Sequence, residues 1–196
     1  TILNASYPLQ SKEGRRWSGI GLSMMDDRSG QAGIFNTQEV AVSYAGNVSL
    51  AKFQSLSLGI KVLYQHRKMD LEGLYTGSQY IPDRGFDESL SSGENLGQLN
   101  DNFVTFSAGL HWQQTDRKGT TIAYWDFSFF DFNKPEDSFL ESSGQLPSTL
   151  VSALGFRIYH EGNMSIFPEV LYTHSAATNV FNVGMILRQE LKSSPY

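Results

Sequence analysis

Four histidines, His66, His111, His160 and His174, are the residues of this 196-residue chain best suited to hold a metal or relay a proton. None stands three to five residues from another histidine or within an HExxH arrangement, the spacing that sets two imidazoles on one helix face. A serine nucleophile is no better supported. No GxSxG element is present, and serines on strands are ordinary polar wall residues. The histidines are therefore expected in a polar interior or at a rim, and no catalytic activity is expected. Asp26-Asp27-Arg28-Ser29-Gly30 has the residue types of a cation or partner site, but aspartate, serine and glycine are the residues turns use for their own hydrogen bonds, so a turn is expected there. Between residues 67 and 101 lie Asp70, Glu72, Asp83, Asp87, Glu88 and Glu94. They lack the DxDxDG spacing of a calcium loop. No metal and no cofactor is expected. This acidic stretch also carries aromatic side chains, and long loops on a rigid scaffold are where binding normally resides. Tyr75, Tyr80, Arg84, Phe86 and Asp87 are accordingly the candidate partner-binding residues.

The scaffold that would present this loop shows in the spacing of apolar residues. In LSLGIKVLYQH (56–66), Leu56, Leu58, Ile60, Val62 and Tyr64 alternate with small or polar residues. Period two gives a strand with one oily and one wet face. The same alternation predicts strands over 17–25, 37–50, 102–114, 120–132, 150–160, 164–174 and 180–190. Pro168 weakens the seventh of the eight. On 102–114, Val104, Phe106, Ala108, Leu110 and Trp112 oppose Thr105, Ser107, Gly109, His111 and Gln113. Glu39, Lys61, Glu169 and Arg188 fall on the polar faces, where a structural network is the expected role and a selective pore the lesser one.

Composition agrees with an all-β chain. Charged residues are only 18%, aromatic residues reach 13%, and there are 18 glycines. A formal charge of −5 gives no basic footprint, so no nucleic-acid partner is expected. The absence of cysteine excludes disulfides and thiolate zinc sites. No stretch approaches the roughly 18 to 20 apolar residues of a membrane helix, so a membrane reading requires a closed barrel. The predicted strands are longer than the five or six residues usual in soluble sheets. Their connections alternate between long polar ones (26–36, 67–101, 133–147) and short ones (51–53, 115–119, 161–163), as in bacterial outer-membrane barrels. The short connection at 175–179 departs from this alternation. With no helix to cover the oily faces, lipid is their simplest cover, with Tyr64 near an interfacial aromatic girdle. The expectation is one β-barrel domain over 1–196, a transmembrane antiparallel barrel of the outer-membrane type with at least eight strands. The start at Thr1 fits a processed or trimmed chain.

Four stretches together resemble the PorP/SprF family of Bacteroidota outer-membrane barrels, associated with type IX secretion and gliding motility. RRWSGIGLSMMDDRSGQAGIFNTQEVAVSYA (15–45) is similar to an early hairpin of that family, and NFVTFSAGLHWQQTDRKGTTIAYWDFSFFDFNKPEDSF (102–139) to the next characteristic one. IFPEVLYTHS and FNVGMILRQEL resemble the pair that follows. Family members tend to be longer, with more strands and an N-terminal Asn-Pro-Ala element where this chain has NASYPL. The resemblance thus implies an incomplete barrel chain, with more strands in the full-length protein. It further implies a non-enzymatic integral protein of the bacterial outer membrane, a docking platform for type IX secretion, gliding or surface attachment of a secreted adhesin. The implied partners are an adhesin or other cargo with a C-terminal sorting domain, type IX components or lipoproteins, and the lipid bilayer. A passive pore is the alternative, and a soluble β-barrel binding an apolar ligand is the third reading.

Overall fold

Strand follows strand along a single antiparallel meander in the computed structural model, which describes residues 1–11, 16–30, 34–70, 75, 77–87, 89–91, 93, 98–137, 144–161 and 164–189. The strands are β1 (Ile2–Gln10), β2 (Arg16–Ser29), β3 (Phe35–Ala51), β4 (Gln54–Asp70), β7 (Gln98–Thr115), β8 (Thr121–Phe130), β9 (Thr149–Phe156), β10 (Tyr159–Glu161), β11 (Met164–Ser175) and β12 (Thr178–Gln189). A small hairpin of β5 (Tyr80–Ile81) and β6 (Gly85–Phe86) lies in the loop between β4 and β7. β9 and β10 pair with successive parts of the same edge of β11, while β12 takes its other edge. The ten strands of the sheet therefore fill nine positions, β9 and β10 forming one interrupted strand. Among the described residues nothing pairs β1 with β12, so the sheet is open.

Its two faces are inverted relative to a soluble protein. Leu58, Ile60 and Val62 are 57%, 60% and 41% exposed, whereas Thr105 and Ser107 on the opposite face are 1% and 5% exposed. Among the described residues the buried apolar set is only Ala41 and Phe103. A water-soluble barrel holding an apolar ligand requires the reverse arrangement, whereas an apolar exterior around a polar interior suits lipid. The upper limit of the oily band is marked twice by one device. Val62-Leu63-Tyr64-Gln65-His66 and Val170-Leu171-Tyr172-Thr173-His174 occupy the outer ends of β4 and β11. In the first, the Tyr64 hydroxyl donates to Asn102 Oδ1 (3.1 Å) and His66 Nδ1 lies 2.6 Å from the same oxygen. In the second, Tyr172 and His174 both reach Asn179 Oδ1 at 2.8 Å. Tyrosine with an apolar ring and a hydrogen-bonded tip belongs at a membrane interface.

Several expected boundaries move. The loop expected over 26–36 shrinks, because β2 and β3 stay in register up to Ser29 opposite Phe35. Asp26-Asp27-Arg28-Ser29 is thus strand, not turn, and only Gly30, at φ 83°, has a turn conformation. Asp26 is drawn into the sheet by Arg28 at 3.8 Å and Gln38 at 3.5 Å. Residues 67–70 and 98–101 likewise belong to strands. The strand expected over 150–160 is broken at Arg157 and Ile158, where the Arg157 guanidinium turns to Asp116 (3.1 and 3.2 Å) in the turn after β7. The Thr120 N–H first, and then the Arg157 guanidinium and the Lys118 N–H, hold the Asp116 carboxyl below the usual carboxylate range by hydrogen bonding to it. β1 was not evident in the alternation; its Pro8 and small Ala5 and Ser6 weaken the pattern, yet its register with β2 runs from Ile2 opposite Met25 to Gln10 opposite Arg16.

The wall is uneven. β7 pairs with β8 only from Ala108 downward, so its upper part, from Gln98 to Ser107, rises past the end of β8. Asn133 patches this step like an extra peptide: its Nδ2 donates to the Val104 carbonyl (2.8 Å) and its Oδ1 accepts from the Phe106 N–H (3.0 Å). Asn133→Ala is expected to cost about 1–2 kcal/mol, two hydrogen bonds to strand backbone being lost, as measured by the urea midpoint of the folded protein in micelles. Asn133→Asp, which keeps the acceptor alone, should fall between.

Candidate functional site

The long connections share one rim, and the connections of β3 to β4, β7 to β8 and β10 to β11 share the other. The long ones join β4 to β7 and β8 to β9. The two-residue turn between β11 and β12, with Ala176 at φ 50°, also lies at the long-loop rim, so this short connection departs from the alternation as expected.

In the first long loop the sequence-predicted residues separate by role. Tyr75, Tyr80 and Phe86 come together: the Phe86 ring stacks on Tyr75 at 5.2 Å and meets Tyr80 edge-on at 5.3 Å. The three remain 47%, 53% and 54% exposed. β5 and β6 place Tyr80 opposite Phe86, joined by a tight turn with Asp83 at φ 71° and followed by Gly85 at φ 85°. Arg84 sits on this turn and is exposed. Asp87 is spent on structure, accepting from the Ser89 hydroxyl (2.6 Å) and N–H (2.9 Å), which hold its carboxyl below its ordinary range. Under this hairpin the buried Gln79 donates to the Leu90 carbonyl at 2.9 Å. Glu72, Glu88 and Glu94 lie outside the described residues.

The second long loop does something the sequence did not announce. Phe132 lies on the outer face, against Phe106 and Phe129. Five residues on, Asp137 is on the inner face, 2.6 Å from Arg67 of β4. The chain crosses the wall through the step above β8. Arg67 also contacts Asp101 of β7 at 3.3 Å and lies 4.8 Å over the Phe103 ring. Both carboxylates are nearly excluded from solvent, at 9% and 5% side-chain exposure. The expected loop over 67–101 has Arg67 and Asp101 at its ends, whereas period two carried through Gln65, Arg67 and Met69 keeps Arg67 on the inner wall.

Lower on the inner face, Tyr124 donates to Glu169 Oε1 (2.8 Å) and stacks nearly parallel on Phe167 at 5.9 Å. Lys61 lies 5.8 Å over the Phe130 ring. Glu39, Lys61, Glu169 and Arg188 share this face as expected, but among the described residues none of the four pairs with another. His111, beside Asp126 at 2.5 Å, and His160, beside Ser165 at 2.9 Å, also face inward, whereas His66 and His174 are outward at the girdle. Among the described residues no three metal-ligating side chains converge.

A meander with an apolar exterior, a polar interior and long loops at one rim is the construction of a transmembrane β-barrel protein. The chain belongs to the PorP/SprF family of type IX secretion system membrane proteins, whose family model matches residues 1–192. No curated protein and no solved structure matches the chain.

Proposed function

We propose that this protein is a non-enzymatic, integral outer-membrane barrel of one domain that docks a partner of the type IX system at its long-loop rim. The observation that carries this reading is the exposed cluster of Tyr75, Tyr80 and Phe86. Aromatic side chains grouped on a built hairpin are the usual anchors of an interface, and exposed apolar groups of this size are seldom left unused. Arg84 and Asp87 border them. The partner is a secreted adhesin or other cargo with a C-terminal sorting domain, with type IX components or lipoproteins engaging the assembly. The test is mass spectrometry of what co-purifies with tagged full-length protein from gently solubilised outer membranes. Tyr80→Ala/Phe86→Ala is expected to lower recovery of such a cargo more than tenfold while the barrel still migrates differently before and after boiling. Recovery of a lone barrel would overturn the docking role.

A passive pore is the second reading, favoured by the polar inner face. It predicts steady ion conductance in planar bilayers; the loop drawn inward to Arg67 favours low conductance.

A further inference from the structure

We propose that the outward groove at the top of the β8–β9–β11 wall binds the phosphorylated headgroup of an outer-leaflet lipid, with the start of its acyl chain against the barrel. Phe129, Leu150 and His174 are successive partners across these three strands and form one row of the lipid-facing surface. Above that row the loop 131–148 adds Lys134, Gln145 and Ser148, closing a groove of about 350 Å³. Phe129 and Leu150 make an apolar floor continuous with the oily band, His174 makes its polar side, and Lys134, Gln145 and Ser148 make a polar lip. Left-handed turns at Asp131 (φ 54°) and Lys134 (φ 44°) bring the loop to this position.

The charge pattern selects the ligand. Two other cations on the outer face at this rim have carboxylates beside them: Arg28 has Asp26 at 3.8 Å and Lys68 has Asp70 at 3.1 Å. Among the described residues Lys134 has no such partner, and no carboxylate lines the groove. A cation left open at a membrane interface, in a chain of net charge −5, suits an anion. An inorganic anion would make no use of Phe129 and Leu150, whereas a phosphorylated lipid uses both halves of the lining. The His174–Asn179–Tyr172 cluster fixes one wall of the groove before any ligand arrives. This inference rests on the long-loop rim facing outward and not on any protein partner, so it survives failure of the docking role.

The test is native mass spectrometry of full-length protein in mild detergent, offered bisphosphorylated lipid A, the same lipid after dephosphorylation, a glycerophospholipid, or inorganic phosphate as competitor. Expected is retention of the bisphosphorylated lipid, weakened at least fivefold by Lys134→Ala and by dephosphorylation, and insensitive to millimolar phosphate. Lys118→Ala, at the opposite rim, should leave it unchanged, and Lys134→Gln provides a second variant should the first fail to fold. Equal retention by wild type and both Lys134 variants would overturn the site. Displacement by phosphate alone would make it an anion site only, and preference for the glycerophospholipid would refute the outer-leaflet assignment.

Discussion

Arg67→Ala is expected to destabilise the protein by about 3 kcal/mol, the scale seen when one member of a buried ion pair is removed. The guanidinium stands between Asp101 and Asp137, whose side chains are 9% and 5% exposed, and its loss leaves two nearby carboxylates in a poorly solvated setting. It also removes a cation from the Phe103 ring. Unfolding by urea in lipid vesicles, followed by tryptophan fluorescence, measures the effect. Asp137→Asn added to Arg67→Ala should recover part of the loss, because it removes one of the two repelling charges. High salt should change the wild-type midpoint little, since a pair this enclosed is weakly screened. A single variant within half a kcal/mol of wild type would mean that Asp137 is not held where it is described.

The second large effect is expected at Gly155. It lies in an inner-face row of Tyr124, Gly155, Glu169 and Gly184, one residue from each of four adjacent strands. A Cβ at Gly155 would come within 2.5 Å of Tyr124 Cε1 and 2.7 Å of Phe167 Cε1, so the stacked rings occupy the space a side chain would take. Gly155→Ala must part that stack or bend β9, at a cost of about 1–3 kcal/mol as for overpacked cores. Gly184, on the other side of Glu169, provides an internal control: a Cβ there meets nothing within 4 Å. Gly184→Ala should stay within about half a kcal/mol of wild type. Equal effects at the two glycines would show that backbone propensity, not the ring stack, sets the cost.

What could be read from the sequence is what depends on period two. The alternation in residues 56–66 and 102–114 fixes which side chains face outward, and the structure keeps those faces throughout. The apolar exterior follows from the same pattern, because no other segment offers to cover it. Ends of strands are less legible. At Asp26-Asp27-Arg28-Ser29 turn-forming residues lie inside a strand, because pairing to Asn36, Thr37 and Gln38 outweighs their local preference. The break at Arg157 is set by Asp116, 41 residues earlier in the chain, which no local window contains. The aromatic cluster was half legible: the residue types marked it, but that Tyr75 meets Phe86 depends on a hairpin of two-residue strands. The Arg67 contacts and the Asn133 patch depend on β7 outlasting β8, and length mismatch between neighbouring strands leaves no periodic trace.

That mismatch also breaks the symmetry of the rim. At roughly 3.3 Å per strand residue, the part of β7 above β8 amounts to about 30 Å of chain measured along the strand. A level cylindrical mouth would offer an arriving protein no angular reference, so it could seat at any heading around the axis. A rim that is tall from β2 to β7 and low from β8 to β12 would, under the docking proposed above, act as a keyed socket. A partner docked as proposed on Tyr75, Tyr80 and Phe86 would then be fixed in azimuth as well as height, and pulling or twisting it would turn the barrel with it.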